Sequence, residues 1–279
     1  MSYKTLLVHL DAGPRCAARI ALACDLAARF DSRLVAVAPT GLPDLILSIN
    51  SAVPDSLECI ALPAASLRER AQALARDFEQ RCSAARVGSF ESRVVVDEAI
   101  DAVVRHGRCS DLVIVGQRDP GAPVEGVASD FPQQVLLHAG TPVLIVPHSG
   151  SFASVGQRVL IAWQEKAEAT RAIRDALPLL RIAERVVLCE IAESEADDGP
   201  AERFESVLLW LATHGVHAKA QHEPKTAGVG DKLLSLAADL GVDLIVAGGY
   251  GHSRLREWVL GGTTRHLLEH MTVPTLLSH

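Results

Sequence analysis

Residues 243–264, DLIVAGGYGHSRLREWVLGGTT, concentrate the side chains and spacings in this chain that are best suited to chemistry. An apolar run ends on Gly248 and leads through Gly251 to Gly261 and Gly262. Arg254 and Arg256 lie inside the loop, and Thr263 and Thr264 stand at its exit. Glycine lets a backbone turn sharply and come close to a ligand. The N–H groups of such a loop, and those of a helix N-terminus just beyond it, point at an anion and favour its charge. The chemistry expected is the cradling of a phosphate-like anion, with the arginines adding positive charge. The plainer reading is a strand–helix connection that needs glycines for its turns. His252, in the same loop, could touch a phosphate or assist a slow hydrolysis, although a loop histidine is more often only solvated.

Other chemistries find less support. His214, His217, His222, His266, His270 and His279 make the second half rich in histidine, but none has HExxH spacing. His266 and His270 share a helix face without a carboxylate or cysteine in register, so no metal site is expected. No carboxylate pair is spaced for acid–base work. The GxSxG elbow, the GxxxxGK[ST] loop and a GxGxxG after the first strand are all absent, which removes serine hydrolases, P-loop NTPases and dinucleotide-binding dehydrogenases. No catalytic residue is assigned.

The elements that must position the loop come in two sets. DLVIVG at 111–116 matches DLIVAG at 243–248, an offset of 132, and His138 and Pro142 meet His270 and Pro274 at the same offset. Near the start of each half, LLVHLD at 6–11 resembles LIAWQ at 160–164, with Asp11 opposite Gln164 at an offset of 153. The additional length of the first half is expected within 39–64, which carries few helix signals. Repeats this long are duplicated domains, not solenoid units. Strands are expected near 4–10, 33–38, 92–96, 111–116 and 142–147, and again near 157–163, 185–191, 217–222, 243–248 and 274–278, with helices between them. That alternation implies right-handed crossovers and parallel sheets. A linker over 147–156, bearing Ser149, Gly150, Ser151 and Ser154, divides the chain into domains at 1–148 and 155–279.

Composition agrees with this plan. Hydrophobic residues make up 48% and aromatics only 4%, so Ala, Val and Leu must build the core, as in buried parallel sheets. A net charge of −7 and the lack of a basic block argue against a nucleic-acid or anionic-membrane surface. The six cysteines form no CxxC pair, and no apolar run suits a signal peptide or a membrane span. A cytoplasmic location is expected, with the cysteines acting as small apolar side chains.

The spacing Gly248-x2-Gly251-x9-Gly261 after the fourth strand of a repeated five-strand α/β unit resembles the universal stress protein family in its tandem two-domain form. The resemblance spans essentially the whole chain. It implies an α/β fold of two Rossmann-like domains of the adenine nucleotide alpha hydrolase type, each with a doubly wound five-stranded parallel sheet. It also implies ATP or AMP, with or without Mg²⁺, held by Gly248, Gly251, His252, Arg254, Gly261, Gly262 and Thr263, with Ala247 and Ile191 beside the adenine and Gln164 at the end of the first strand. The family usually has Asp at the Gln164 position and a hydroxyl residue directly after the third glycine, where this chain has Gly262. In the first half, Asp119, Ser129 and Asp130 stand opposite Gly251, Gly261 and Gly262, so like charge replaces the cradle and that site is expected to be lost. The function implied is a nucleotide-dependent switch in a stress response, not an enzyme beyond slow incidental ATP hydrolysis. The alternative is a scaffold that no longer binds nucleotide and works through a protein partner. The apolar terminal strands at 142–147 and 274–278 suggest an intramolecular pseudo-dimer, which could itself pair as a homodimer of tandem chains.

Overall fold

The runs LLV, LVAVA, LVIV and VLIV are apolar at consecutive positions, the signature of strands covered on both faces. In the computed structural model, which describes residues 2–41, 57–152, 154–191, 201–224, 228–250 and 262–279 (side chains of 57–63 and 201–203 excepted), these runs form strands in two compact units, Tyr3–Thr141 and Pro142–His279.

In the first unit the chain runs β1 (Thr5–His9), α1 (Cys16–Phe30), β2 (Arg33–Pro39), α2 (Leu57–Ala84), β3 (Ser89–Val95), α3 (Ala99–Gly107), β4 (Leu112–Gly116) and α4 (Phe131–His138). The strands pair in parallel in the order β3-β2-β1-β4. Helix α2 begins at Leu57, inside the stretch from which the sequence promised few helix signals; Leu57, Glu58, Ala61, Ala64 and Ala65 are good helix formers that outweigh its prolines. Leu6, Leu7 and Val8 are wholly buried, as are Leu112, Val113 and Ile114 beside them, each side chain contributing about 1.5–3 kcal/mol of burial.

The second unit opens with β5 (Val143–Val146), the strand that ends the first sequence repeat. It continues through β6 (Arg158–Ala162), α5 (Ala167–Leu180), β7 (Arg185–Ile191), α6 (Ala201–Thr213), β8 (Ala218–Glu223), α7 (Val229–Asp239), β9 (Leu244–Gly248), α8 (Gly262–His270) and β10 (Thr275–Ser278). Its order is β5-β10-β9-β6-β7-β8. All of these pairs are parallel except β5 with β10, which run antiparallel with Leu144 opposite Leu276. The expected α/β architecture is present, with strands and helices alternating and the strands pairing in parallel throughout except at β5 and β10. The first unit holds the four parallel strands β3-β2-β1-β4; the second holds five parallel strands together with β5, which pairs antiparallel with β10.

One repeated residue does the same work in both units. The Asp111 carboxylate accepts hydrogen bonds from the backbone N–H of Lys4 and Thr5 at 2.6 and 2.8 Å. Asp243 accepts from Gly156, Gln157 and Arg158 at 3.1, 3.0 and 2.9 Å, and Gly156 there adopts φ of 82°. Asp111 thereby ties the start of β1 to the start of β4, and Asp243 the start of β6 to the start of β9.

Candidate functional site

In a doubly wound sheet the strand order reverses between the first and fourth strands, and the crossovers diverge there to leave a crevice at the carboxyl ends. In the second unit those strands are β6 and β9, in register as Ala162 with Ala247. A cavity of about 280 Å³ opens at that point, near the lower end of the range for small-ligand sites of about 300–1,000 Å³. Ile191, Val229, Leu233, Ala247 and Leu267 give it apolar walls, and Trp163, Gln164, Thr263 and Thr264 bring polar groups. Lys166 and Glu168 add one charge of each sign.

Six residues singled out in the sequence meet on this wall: Gln164, Ile191, Ala247, Gly248, Gly262 and Thr263. Four others, Gly251, His252, Arg254 and Gly261, lie outside the described residues, as does Arg256. The backbone N–H of Trp163 donates to the Cys189 carbonyl at 2.7 Å, carrying the β6–β7 pairing up to the mouth of the cavity just before Gln164. Helix α8 starts at Gly262, so its unpaired N–H groups and the positive end of its dipole belong to the cavity wall. A Cβ at Gly262 would meet nothing within 4 Å, so the wall is open there.

Gly248 has a second reason to be glycine. A Cβ there would stand 2.6 Å from the Ala169 nitrogen and 2.7 Å from the Glu168 carbonyl carbon. The end of β9 and the first turn of α5 therefore pack backbone to backbone. The chain then turns through Tyr250, which adopts φ of 56°, a left-handed conformation that bulky residues rarely take. Its N–H donates to Thr264 Oγ1 at 3.3 Å, which holds the turn against α8 and leaves the Thr264 O–H free to donate. Thr263 and Thr264 are the hydroxyl residues of the cavity wall. Burial pushes the Cys189 thiol up to about 12, so this cysteine sits in the wall as a neutral side chain. Sequence reasoning missed Trp163, Lys166, Val229, Leu233 and Leu267, which flank strand ends and helix starts without a motif of their own. It also found no carboxylate for His266. Asp231 on α7 supplies one, Oδ1 lying 3.0 Å from His266 Nε2, and the ring of His266 stacks on His270 at 4.3 Å.

The corresponding place in the first unit is filled from within. Arg19 of α1 is 2% exposed; its Nη2 donates to Asp11 Oδ2 at 2.7 Å and its Nε to the His9 carbonyl at 2.9 Å. A Cβ at Gly116, the counterpart of Gly248, would collide with Arg19 Nη1. Asp119 and Asp130 are engaged locally, accepting from the Gly121 N–H at 2.9 Å and from Gln134 Nε2 at 2.7 Å. The space remaining beside His9, Asp11 and Val127 is about 30 Å³, room for a water or two at roughly 15 Å³ each. Burial raises the Asp11 carboxyl, but the charge of Arg19, that of His9 and the Gly13 N–H together outweigh it and hold the group below its ordinary value. Burial lowers His9 to about 4, against the pull of Asp11 and with the repulsion of Arg19.

His9 sets an acid limit on this unit. Its folded value lies below the ordinary 6.5, so on acidification the unfolded chain takes up the proton first. Stability is therefore full above pH 6.5 and falls as the pH drops towards 4, by roughly 3 kcal/mol for this residue. Urea unfolding at pH 7 and pH 4.5 should show this loss in the native chain and a smaller one in His9→Leu; parallel losses would rule out His9 as the cause.

Residues 156–279 match the family model described as the Universal stress protein family. Over nearly its full length the chain has the fold of a universal stress protein from Archaeoglobus fulgidus DSM 4304, with a TM-score of 0.73, 14% identity, and coverage of 98% of this chain and 95% of that one. A functionally unknown protein from Pseudomonas aeruginosa PAO1 is also similar, with a TM-score of 0.61, 14% identity, and coverage of 99% and 92%. A comparison with curated proteins finds no match.

Proposed function

We propose that the unit Pro142–His279 binds one adenine nucleotide, ATP or AMP, and acts as a nucleotide-dependent switch in a stress response. The observation that supports this reading is the cavity at the β6/β9 switch point, which gathers Gln164, Ile191, Ala247, Gly248, Gly262 and Thr263. Ile191 and Ala247 would flank the base. The Gln164 amide, able both to donate and to accept, would meet its polar edge or the ribose. The N–H groups at the start of α8 and the Thr263 hydroxyl would receive phosphate oxygens. The first unit, its crevice filled by Arg19, would serve a structural role. Binding is the proposed activity, and any hydrolysis would be slow and incidental.

Calorimetric titration of the full chain with ATP and Mg²⁺ is expected to give one nucleotide per chain. A stoichiometry of two would mean that Arg19 yields its place to a ligand. No heat, with no co-purifying nucleotide, would leave the scaffold reading, which the neutral Gln164 and the missing hydroxyl at Gly262 favour.

A further inference from the structure

The sulfurs of Cys24 on α1 and Cys82 on α2 lie 3.6 Å apart, joined as thiol donor and acceptor. Both residues are buried, at 4% and 0% exposure, in the contact between the two helices. They are 58 residues apart in sequence, and no spacing motif brings them to notice. We propose that Cys24 and Cys82 form a dithiol modification site that a peroxide closes to a disulfide, fastening α1 to α2.

Sulfurs at this separation are already in van der Waals contact. A disulfide bond of about 2.05 Å needs the two sulfurs to approach by about 1.5 Å. The two thiols are also unequal. Its hydrogen bond with Cys82 holds the Cys24 thiol below its ordinary value, against burial and with help from the nearby Arg81 charge. The same bond, with burial, raises Cys82. This asymmetry makes Cys24 the sulfur that attacks first in the proposed reaction and Cys82 the one that resolves it.

The reaction balances without further reagents. Cys24 Sγ attacks one peroxide oxygen, the O–O bond breaks, and water leaves once the displaced oxygen has taken a proton, giving a sulfenic acid. Cys82 Sγ then attacks Cys24 Sγ, the S–O bond breaks, and the departing hydroxide takes the Cys82 proton as a second water. The two thiols lose two electrons and the peroxide gains them. A reagent little larger than water suits a pair so buried, whereas a bulky disulfide does not. Closure would fix α1, and with it Arg19, against α2.

The full chain is treated with hydrogen peroxide under native conditions, quenched with N-ethylmaleimide in denaturant and mapped by peptide mass spectrometry. The expected product is a peptide pair joined through Cys24 and Cys82, lighter than its reduced parts by two hydrogens and separated again by dithiothreitol. The oxidised chain should also melt at a higher temperature. Cys24→Ala and Cys82→Ala should each lose the linked pair. The proposal is overturned if both residues carry maleimide while the exposed Cys109 has been oxidised, if either is linked instead to Cys16, or if the pair appears only after oxidation in denaturant.

Discussion

Replacing Arg19 by Ala should destabilise the unit Tyr3–Thr141 by about 3–5 kcal/mol, the usual cost of leaving one partner of a buried ion pair uncompensated. Asp11, only 12% exposed, would lose the cation 2.7 Å from its Oδ2, and the crevice beside Gly116 would stand open. Much of this cost belongs to the stranded carboxylate. The double variant Asp11→Leu with Arg19→Met, which removes both charges and keeps the volume, should recover most of it. Urea unfolding of the three chains measures the effect. Equal stability of Arg19→Ala and the parent would mean that the guanidinium does not hold this crevice together.

Gly248→Val should abolish nucleotide binding, lowering ATP affinity at least ~100-fold, a change of about 2.7 kcal/mol. The new side chain would collide with the backbone of Glu168 and Ala169, so the first turn of α5, part of the cavity wall, must move. The unit itself should lose about 1–3 kcal/mol through overpacking. Trp163 lies in the cavity wall, so its fluorescence offers a binding signal beside calorimetry. Gly116→Val is the paired control. It should disturb the first unit through Arg19 while ATP affinity stays at the parent value. Parent-like binding by Gly248→Val would place the ligand elsewhere.

Much of this arrangement was legible in the amino-acid order. Strand positions could be read from short apolar runs bounded by turn residues, and the repeated DL pair marked the start of β4 and of β9 because an aspartate there caps the neighbouring strand. The direction of β5 was not legible, since PVLIVP is equally apolar read either way and only its partner decides. Nor was the filling of the first crevice foreseen, although a signal existed. Arg19 falls on the helical face shared by Cys16, Ile20, Ala23 and Ala27, a stripe otherwise apolar, where a charge must find a buried partner. Its counterpart at the 153-residue offset is Ala172, which brings no guanidinium to the second crevice. The hydrogen bond from Tyr250 to Thr264 depends on a left-handed turn that no residue pattern announces.

The antiparallel seam between β5 and β10 makes the molecule indivisible at its own repeat boundary. The sequence repeat divides within 147–156, whereas the compact units divide before β5, which lies in the second unit and pairs there with β10. A cut in that linker would strand β5 on a first fragment without β10 and leave β10 of the second fragment with a bare edge. The last strand of the first repeat is thus held from within the second unit, and the repeat boundary in the sequence is not a boundary of the fold.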